Sequence, residues 1–218
     1  MSDQSTAQTP DLTFYTNPMS RGRIVRWMLE EVAEPYETVV LDYGPAMKGA
    51  DYLGVNPMGK VPALRHGAHV VTEAAAICTY LAETFPGAGL RPDEALLAPY
   101  YRWMFFAAGP LEAAVTNASF GWVAEGPQNE GRIGYGSLDR VVGALEQFVA
   151  GASPYLLGER FTALDVYLGS QILWGLQFRT IPERPVFRDY AGRIAGRPAA
   201  VKARATDDAL MPPNPAAV

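Results

Sequence analysis

The chain reads as an α+β unit of order βαβ-ββα followed by an all-helical half. Three observations predict it. Strand-like and helical patterns alternate up to about residue 85, and no strand pattern follows residue 96. A Gly67-Ala68 turn joins two short β-prone runs, the mark of a tight antiparallel hairpin. Between the halves, the stretch 86–95 (PGAGLRPDEA) has the Pro, Gly and charge content of a boundary. The domains so drawn are 12–86 and 95–205, with a linker at 87–94. The segments 1–11 and 206–218, polar or Pro-rich without periodicity, read as tails.

The elements follow in order. Residues 12–15 (LTFY) are short, apolar and β-prone, and Asn17-Pro18 ends them. From Ser20 onward Ile24, Val25, Met28, Leu29 and Val32 recur at helical spacing. Residues 37–41 (ETVVL) form a second strand, and a helix between two strands allows them to run parallel in a right-handed crossover. Residues 63–66 and 69–72 are the hairpin strands. A helix over 73–85 carries Ile77, Tyr80, Leu81 and Thr84 on one face and stops at Pro86-Gly87. Later helices are expected over 100–114, interrupted at Gly109-Pro110, over 137–150 with Val142, Leu145 and Val149, and over 163–178.

Composition narrows the function classes. At 218 residues, 49% hydrophobic and 19% charged, the chain is an ordinary globular protein. A net charge of -5 supplies no basic field for nucleic acid or an anionic membrane, although fifteen arginines against three lysines favour fixed anion contacts. The first residues (MSDQSTAQTPD) lack the basic and apolar regions of a signal peptide, and no apolar run approaches the roughly 18 residues of a spanning helix. A cytoplasmic location is expected. The single cysteine, Cys78, sits in the apolar run EAAAICTYL and reads as a buried structural thiol, with no disulfide framework and no metal site. His66 and His69 flank the hairpin turn without a third ligand and read as surface residues.

Three motifs then stand in order: NPMGKVPAL at 56–64, TEAAAI at 72–77 and LGERFTALD at 157–165, the last containing a Thr162-x-x-Asp165 capping box. With them, the chain from residue 12 to about 204 resembles a cytosolic glutathione S-transferase of bacterial type. The resemblance implies a thioredoxin-like first half, a helical second half, a homodimer, and glutathione as co-substrate without a metal. The implied activity is conjugation of glutathione to small hydrophobic electrophiles. The alternatives are glutathione-dependent peroxide reduction or isomerisation, or a ligand carrier that keeps the fold without catalysis.

Residue by residue, the resemblance implies that Val61-Pro62 is cis, so that the Val61 backbone pairs with the cysteinyl backbone of glutathione as an added strand would. It assigns Glu73 to the γ-glutamyl ammonium and the free amides of the following helix to its carboxylate. Where the family usually has Ser or Thr, this chain has Ala74, so one hydrogen bond is missing. Lys60, Arg65 or Arg21 are the candidates to compensate. A free thiol ionises near pH 8.5, and lowering that by about two pH units requires about 2.7 kcal/mol of preferential thiolate stabilisation. Ser20, at the head of the first helix and five residues after Tyr15, matches the spacing of the reactive Ser or Cys in bacterial members. A serine there is also a favoured helix cap. Asn17 and Tyr15 are the other candidates. For the electrophile pocket the candidates are Met19, Trp103, Met104, Phe105, Phe178 and Arg179, with Ala108 and Trp174 beside them. Arg179, just beyond an apolar helix, either complements the helix dipole or faces an anion.

Overall fold

Alternation in LTFYT buries Leu12, Phe14 and Thr16 on one face and leaves Thr13 and Tyr15 half-buried on the other, which fixes the first strand and its two sides. In the computed structural model, which describes residues 11–212, this strand is β1 (Leu12–Thr16). It is followed by α1 (Gly22–Val32), β2 (Tyr36–Val40), the short α2 (Pro45–Lys48) and α3 (Ala50–Leu53), β3 (Ala63–His66), β4 (His69–Thr72) and α4 (Ala74–Thr84). The sheet order is β2-β1-β3-β4. β1 and β2 run parallel, and β3 lies antiparallel to both β1 and β4. This is the expected βαβ-ββα unit, a thioredoxin-like half.

Among the described residues everything beyond α4 is helical or loop, with one isolated bridge between Tyr155 and Gly158. The helices are α5 (Leu97–Phe106), α6 (Glu112–Ser119), α7 (Pro127–Arg132), α8 (Leu138–Ala150), α9 (Ala163–Gln177), α10 (Pro185–Ala195) and α11 (Pro198–Ala209). The expected interruption at Gly109-Pro110 is a π-helical turn, Ala107–Leu111, joining α5 to α6. Pro110 has no amide to donate, and the chain accommodates the lost bond by widening one turn rather than ending the helix.

α9 is the pillar of the molecule. Its capping box forms as the motif predicts: the buried Asp165 carboxylate accepts from the Thr162 N–H at 2.9 Å and the Thr162 hydroxyl at 3.0 Å. It also accepts from the Leu156 N–H and the Tyr190 hydroxyl, each at 2.9 Å. Burial raises its carboxyl above the usual range, and those four donors oppose the rise. The main core is continuous through both halves, from Phe14 and Met28 through Ile77 and Leu81 to Leu164 and Leu168. A second, small cluster of Met47, Tyr52, Val55 and Ala63 lies on the other face of the sheet.

One boundary differs from the sequence reading. The tail expected from 206 begins inside α11, which runs to Ala209, and Asp207 is 1% exposed. Asp207 accepts from Arg26 Nε at 2.6 Å. Antiparallel to α1, the helix adds pairs from Arg23 to Asp208, Lys202 to Glu30 and Arg197 to Glu31. Its weak apolar periodicity hid it, because charge rather than an apolar stripe joins much of it to α1. The rest of both tail assignments, 1–10 and 213–218, lies outside the described residues.

Candidate active site

The turn before β3 is built by Asn56, a buried residue. Its side chain accepts from the Met58 N–H at 3.0 Å and donates to the Lys60 carbonyl at 2.7 Å, while its own carbonyl accepts from Gly59 N–H at 2.8 Å. The Tyr52 hydroxyl donates to the same Lys60 carbonyl at 2.6 Å, and Lys48 Nζ holds the Gly59 carbonyl at 2.9 Å. Gly59 sits at φ 58°, and a Cβ there would meet the Met47 carbonyl at 2.7 Å, so glycine is required. The turn delivers Val61-Pro62 as a cis peptide. Among the described residues neither the N–H nor the C=O of Val61 has a hydrogen-bond partner.

Register then brings the next group in. Ala63 pairs with Thr72, so Glu73 follows beside Pro62. Glu73 is exposed, makes no ion pair among the described residues, and holds φ 67°, ψ 119°, a conformation costly for a side chain. Behind it α4 opens with Ala74, whose N–H has no partner. An unpaired carboxylate, unpaired helix-start amides and a free Val61 peptide thus lie along one edge.

The loop from Asn17 to Arg23 is organised in the opposite way. Asn17 is 3% exposed; its amide donates to the Leu41 carbonyl at 2.8 Å and accepts from the Met19 N–H at 2.9 Å, which leaves it a structural clip. Ser20 Oγ donates to the Asn17 carbonyl at 2.7 Å and accepts from the Gly22 N–H at 2.9 Å. Ser20 therefore performs a capping task, while also lining the cleft described next. Gly22 permits this: a Cβ there would lie 2.0 Å from Thr16 Oγ1. Tyr15 packs on Tyr52 with ring centroids 5.6 Å apart, within the small core cluster.

A cleft of about 660 Å³ joins the Ser20 loop to the Lys60-Val61 turn, and Glu73 and Ala74 are not among the residues that line it. Its walls include Pro18, Met19, Ser20 and Arg21 on one side, and Lys60 and Val61 on another. Tyr43, Met47 and Lys48 add a third, and Trp174, Gln177 and Phe178 close it from α9. Arg21 is held by a bidentate pair with Glu112 at the start of α6.

A sequence profile described as the glutathione S-transferase N-terminal domain matches residues 19–84, the span containing Ser20, Val61 and Glu73. The glutathione S-transferase-like protein OpS6 of Beauveria bassiana is 27% identical over 198 residues, 85% of this chain and 90% of its own. A glutathione transferase from Methylococcus capsulatus has a solved structure with TM-score 0.73 and 29% identity, covering 91% of this chain and 99% of that one. Residues 19–84 of the chain are thus a glutathione S-transferase N-terminal domain. A theta class glutathione S-transferase from Xanthomonas axonopodis, solved with glutathione bound, has TM-score 0.70 and 28% identity over 89% of this chain and 97% of that one.

The pocket candidates divide. Met19, Trp174 and Phe178 line the cleft. Trp103 and Met104 do not: they are buried in the core, Trp103 stacked on Phe148 at 3.9 Å. Helical periodicity explains it, since Tyr100, Trp103, Met104 and Ala107 share the inward face of α5 and its extension, which turns Phe105 and Ala108 outward. Phe105 is 73% exposed. Arg179 ends α9 at φ 57°, one residue past the lining. Cys78 is fully buried and its thiol is pushed up by burial, consistent with a structural role. The sequence reading missed Tyr43, Gly44, Met47 and Lys48, whose short helices are too brief for periodicity. It also missed Asp208 and Met211, which line the cleft from the end of α11. The acidic pair Asp207-Asp208 closing a Pro-initiated helical run was the available signal.

Proposed function

We propose that the protein is a glutathione transferase that adds the thiolate of glutathione to small hydrophobic electrophiles, with Ser20 as thiolate donor. The observation that carries this reading is the row of unpaired groups at Val61, Glu73 and Ala74, whose first member lines the same cleft as Ser20. The Val61 N–H and C=O pair with the cysteinyl backbone. Glu73 receives the γ-glutamyl ammonium, and the Ala74 N–H, at the positive end of α4, receives its carboxylate. Lys60 supplies a cation at the rim, whereas Arg21 is already paired with Glu112. The glutathione-bound Xanthomonas axonopodis relative supports glutathione as the ligand.

Activation asks Ser20 to exchange its bond to the Asn17 carbonyl for one to sulfur. A charge-assisted bond is roughly twice as strong as a neutral one, so the exchange favours the thiolate. The Gly22 N–H remains on Ser20 Oγ and polarises it. The electrophile then lies on Met19, Trp174 and Phe178. Asn17 is a poorer donor because both ends of its amide are engaged. The protein is further proposed to act as a homodimer.

A second reading, a ligand carrier, rests on Ala74 and on the Ser20 hydroxyl being spent locally. Retention on immobilised glutathione, a chloronitrobenzene conjugation assay and a hydroperoxide assay separate these. Retention with conjugation is the expected result. Peroxide reduction without conjugation would reassign the chemistry, and retention with neither would favour the carrier.

A further inference from the structure

We infer that the electrophile site continues behind the cleft and takes an elongated apolar electrophile ending in a carboxylate; this rests on the transferase reading above. A second cavity of about 400 Å³ lies between α1, α9 and α11. Arg23, Trp174, Gln177 and Asp208 line both spaces, so the partition is one layer of side chains. Its charged part is the pair from Arg23 Nη1 to Asp208 Oδ1 at 2.7 Å. With the Asp208 side chain 58% exposed, such a pair holds its partners weakly, and a ligand chain can pass by displacing it.

Beyond the partition the walls are Trp27, Leu173, Ala195, Ala200 and Ala203, with Ser170 and Asp207 as polar members. Ala200 and Ala203 on the α11 side add only methyl groups to this wall. At this apolar lining stands Arg204, also a wall residue. The other charges near it are in ion pairs, Arg23 with Asp208 and Asp207 with Arg26, although Asp207 Oδ2 and Arg26 Nη2 lack hydrogen-bond partners. Arg204 has no ion-pair or hydrogen-bond partner among the described residues. The cavity therefore presents a partly apolar slot with one cation outside any ion pair, Arg204, at its exposed rim, which suits a carboxylate at the end of a chain.

An α,β-unsaturated aldehyde fits the chemistry. The glutathione sulfur bonds to the β-carbon and the π pair moves onto the carbonyl as an enolate. The α-carbon then takes a proton from solvent, replacing the one the thiol released. Nothing is oxidised and nothing leaves.

The test compares kcat/KM for a short α,β-unsaturated aldehyde, a long uncharged one and the long one bearing a terminal carboxylate. In the wild type the carboxylated long substrate is expected to exceed the uncharged one by about tenfold. Arg204→Gln, at an exposed helical position, should bring that ratio close to one. Ala200→Leu should lower both long substrates relative to the short one. Equal values for the two long substrates, or a ratio that survives Arg204→Gln, would overturn the inference while leaving the transferase reading intact. No turnover of the short substrate either would remove both.

Discussion

The Val61–Ala74 edge and the Ser20 loop have opposite hydrogen-bond economies. On the side of Val61, Glu73 and Ala74, backbone amides, a carbonyl and a carboxylate are left without partners, and Glu73 is held in a costly conformation. On the side of Asn17, Ser20 and Arg23, nearly every polar group is spent: Ser20 on Asn17 and Gly22, Asn17 on Leu41 and Met19, Arg23 on Pro18 and Asp208. The first side is preorganised to receive a ligand's polar groups. The second must trade one bond for another, so binding and activation are separable by mutation.

The largest effect should come from the support beneath the spent side. Asp207→Ala leaves the Arg26 guanidinium buried without its counter-ion, which costs about 3 to 5 kcal/mol, and a thermal melt should fall by about 10 °C. Replacing both with apolar residues, Arg26→Met with Asp207→Leu, should recover most of that loss. Burial raises the Asp207 carboxyl above its ordinary value despite the opposing guanidinium. Between the ordinary and the raised values the native state holds more protons than the unfolded one. This group's contribution to stability is therefore complete at lower pH and declines as pH rises through that window. Denaturant midpoints measured across mildly acidic pH should fall more steeply with rising pH in the wild type than in the double variant, where the raised Asp165 carboxyl still contributes.

Next in size, Ser20→Ala should lower turnover about 100-fold while leaving the glutathione dissociation constant within about twofold. Loss of affinity in parallel with turnover would mean that the two sides are not separable. Glu73→Gly sharpens the contrast from the other direction. Glycine relieves the positive φ and should raise stability by about 1 kcal/mol, whereas glutathione affinity by calorimetry should drop at least tenfold. Smallest is Ala74→Ser, which restores a hydroxyl and should tighten glutathione binding by up to about tenfold. An unchanged dissociation constant would show that Ala74 is not a defect of the site.

What was legible in the chain follows the strength of its local signals. The hairpin over 63–66 and 69–72 matches β3 and β4 because Gly67 pins the turn and period-2 runs flank it. The capping box placed the start of α9 to the residue, since its geometry is entirely local. Trp103 was misplaced because an aromatic residue on a helix announces burial without saying whether a ligand or the core will cover it. Pairing α11 with α1 lay furthest from view: Arg26 and Asp207 are 181 positions apart, and nothing in either segment names the other.

The continuous core has a consequence for how the chain folds and comes apart. Ile77, Cys78 and Leu81 of α4 share one packed interior with Leu164 and Leu168 of α9, and the linker itself is stitched in by the Ala163 N–H to the Leu90 carbonyl at 2.9 Å. Cutting at the linker would expose the inner face of α4 to water, so a fragment ending there is expected to aggregate instead of folding. Calorimetry of the whole chain should register a single cooperative transition. Ligand that stabilises the first half then stabilises the second to the same degree.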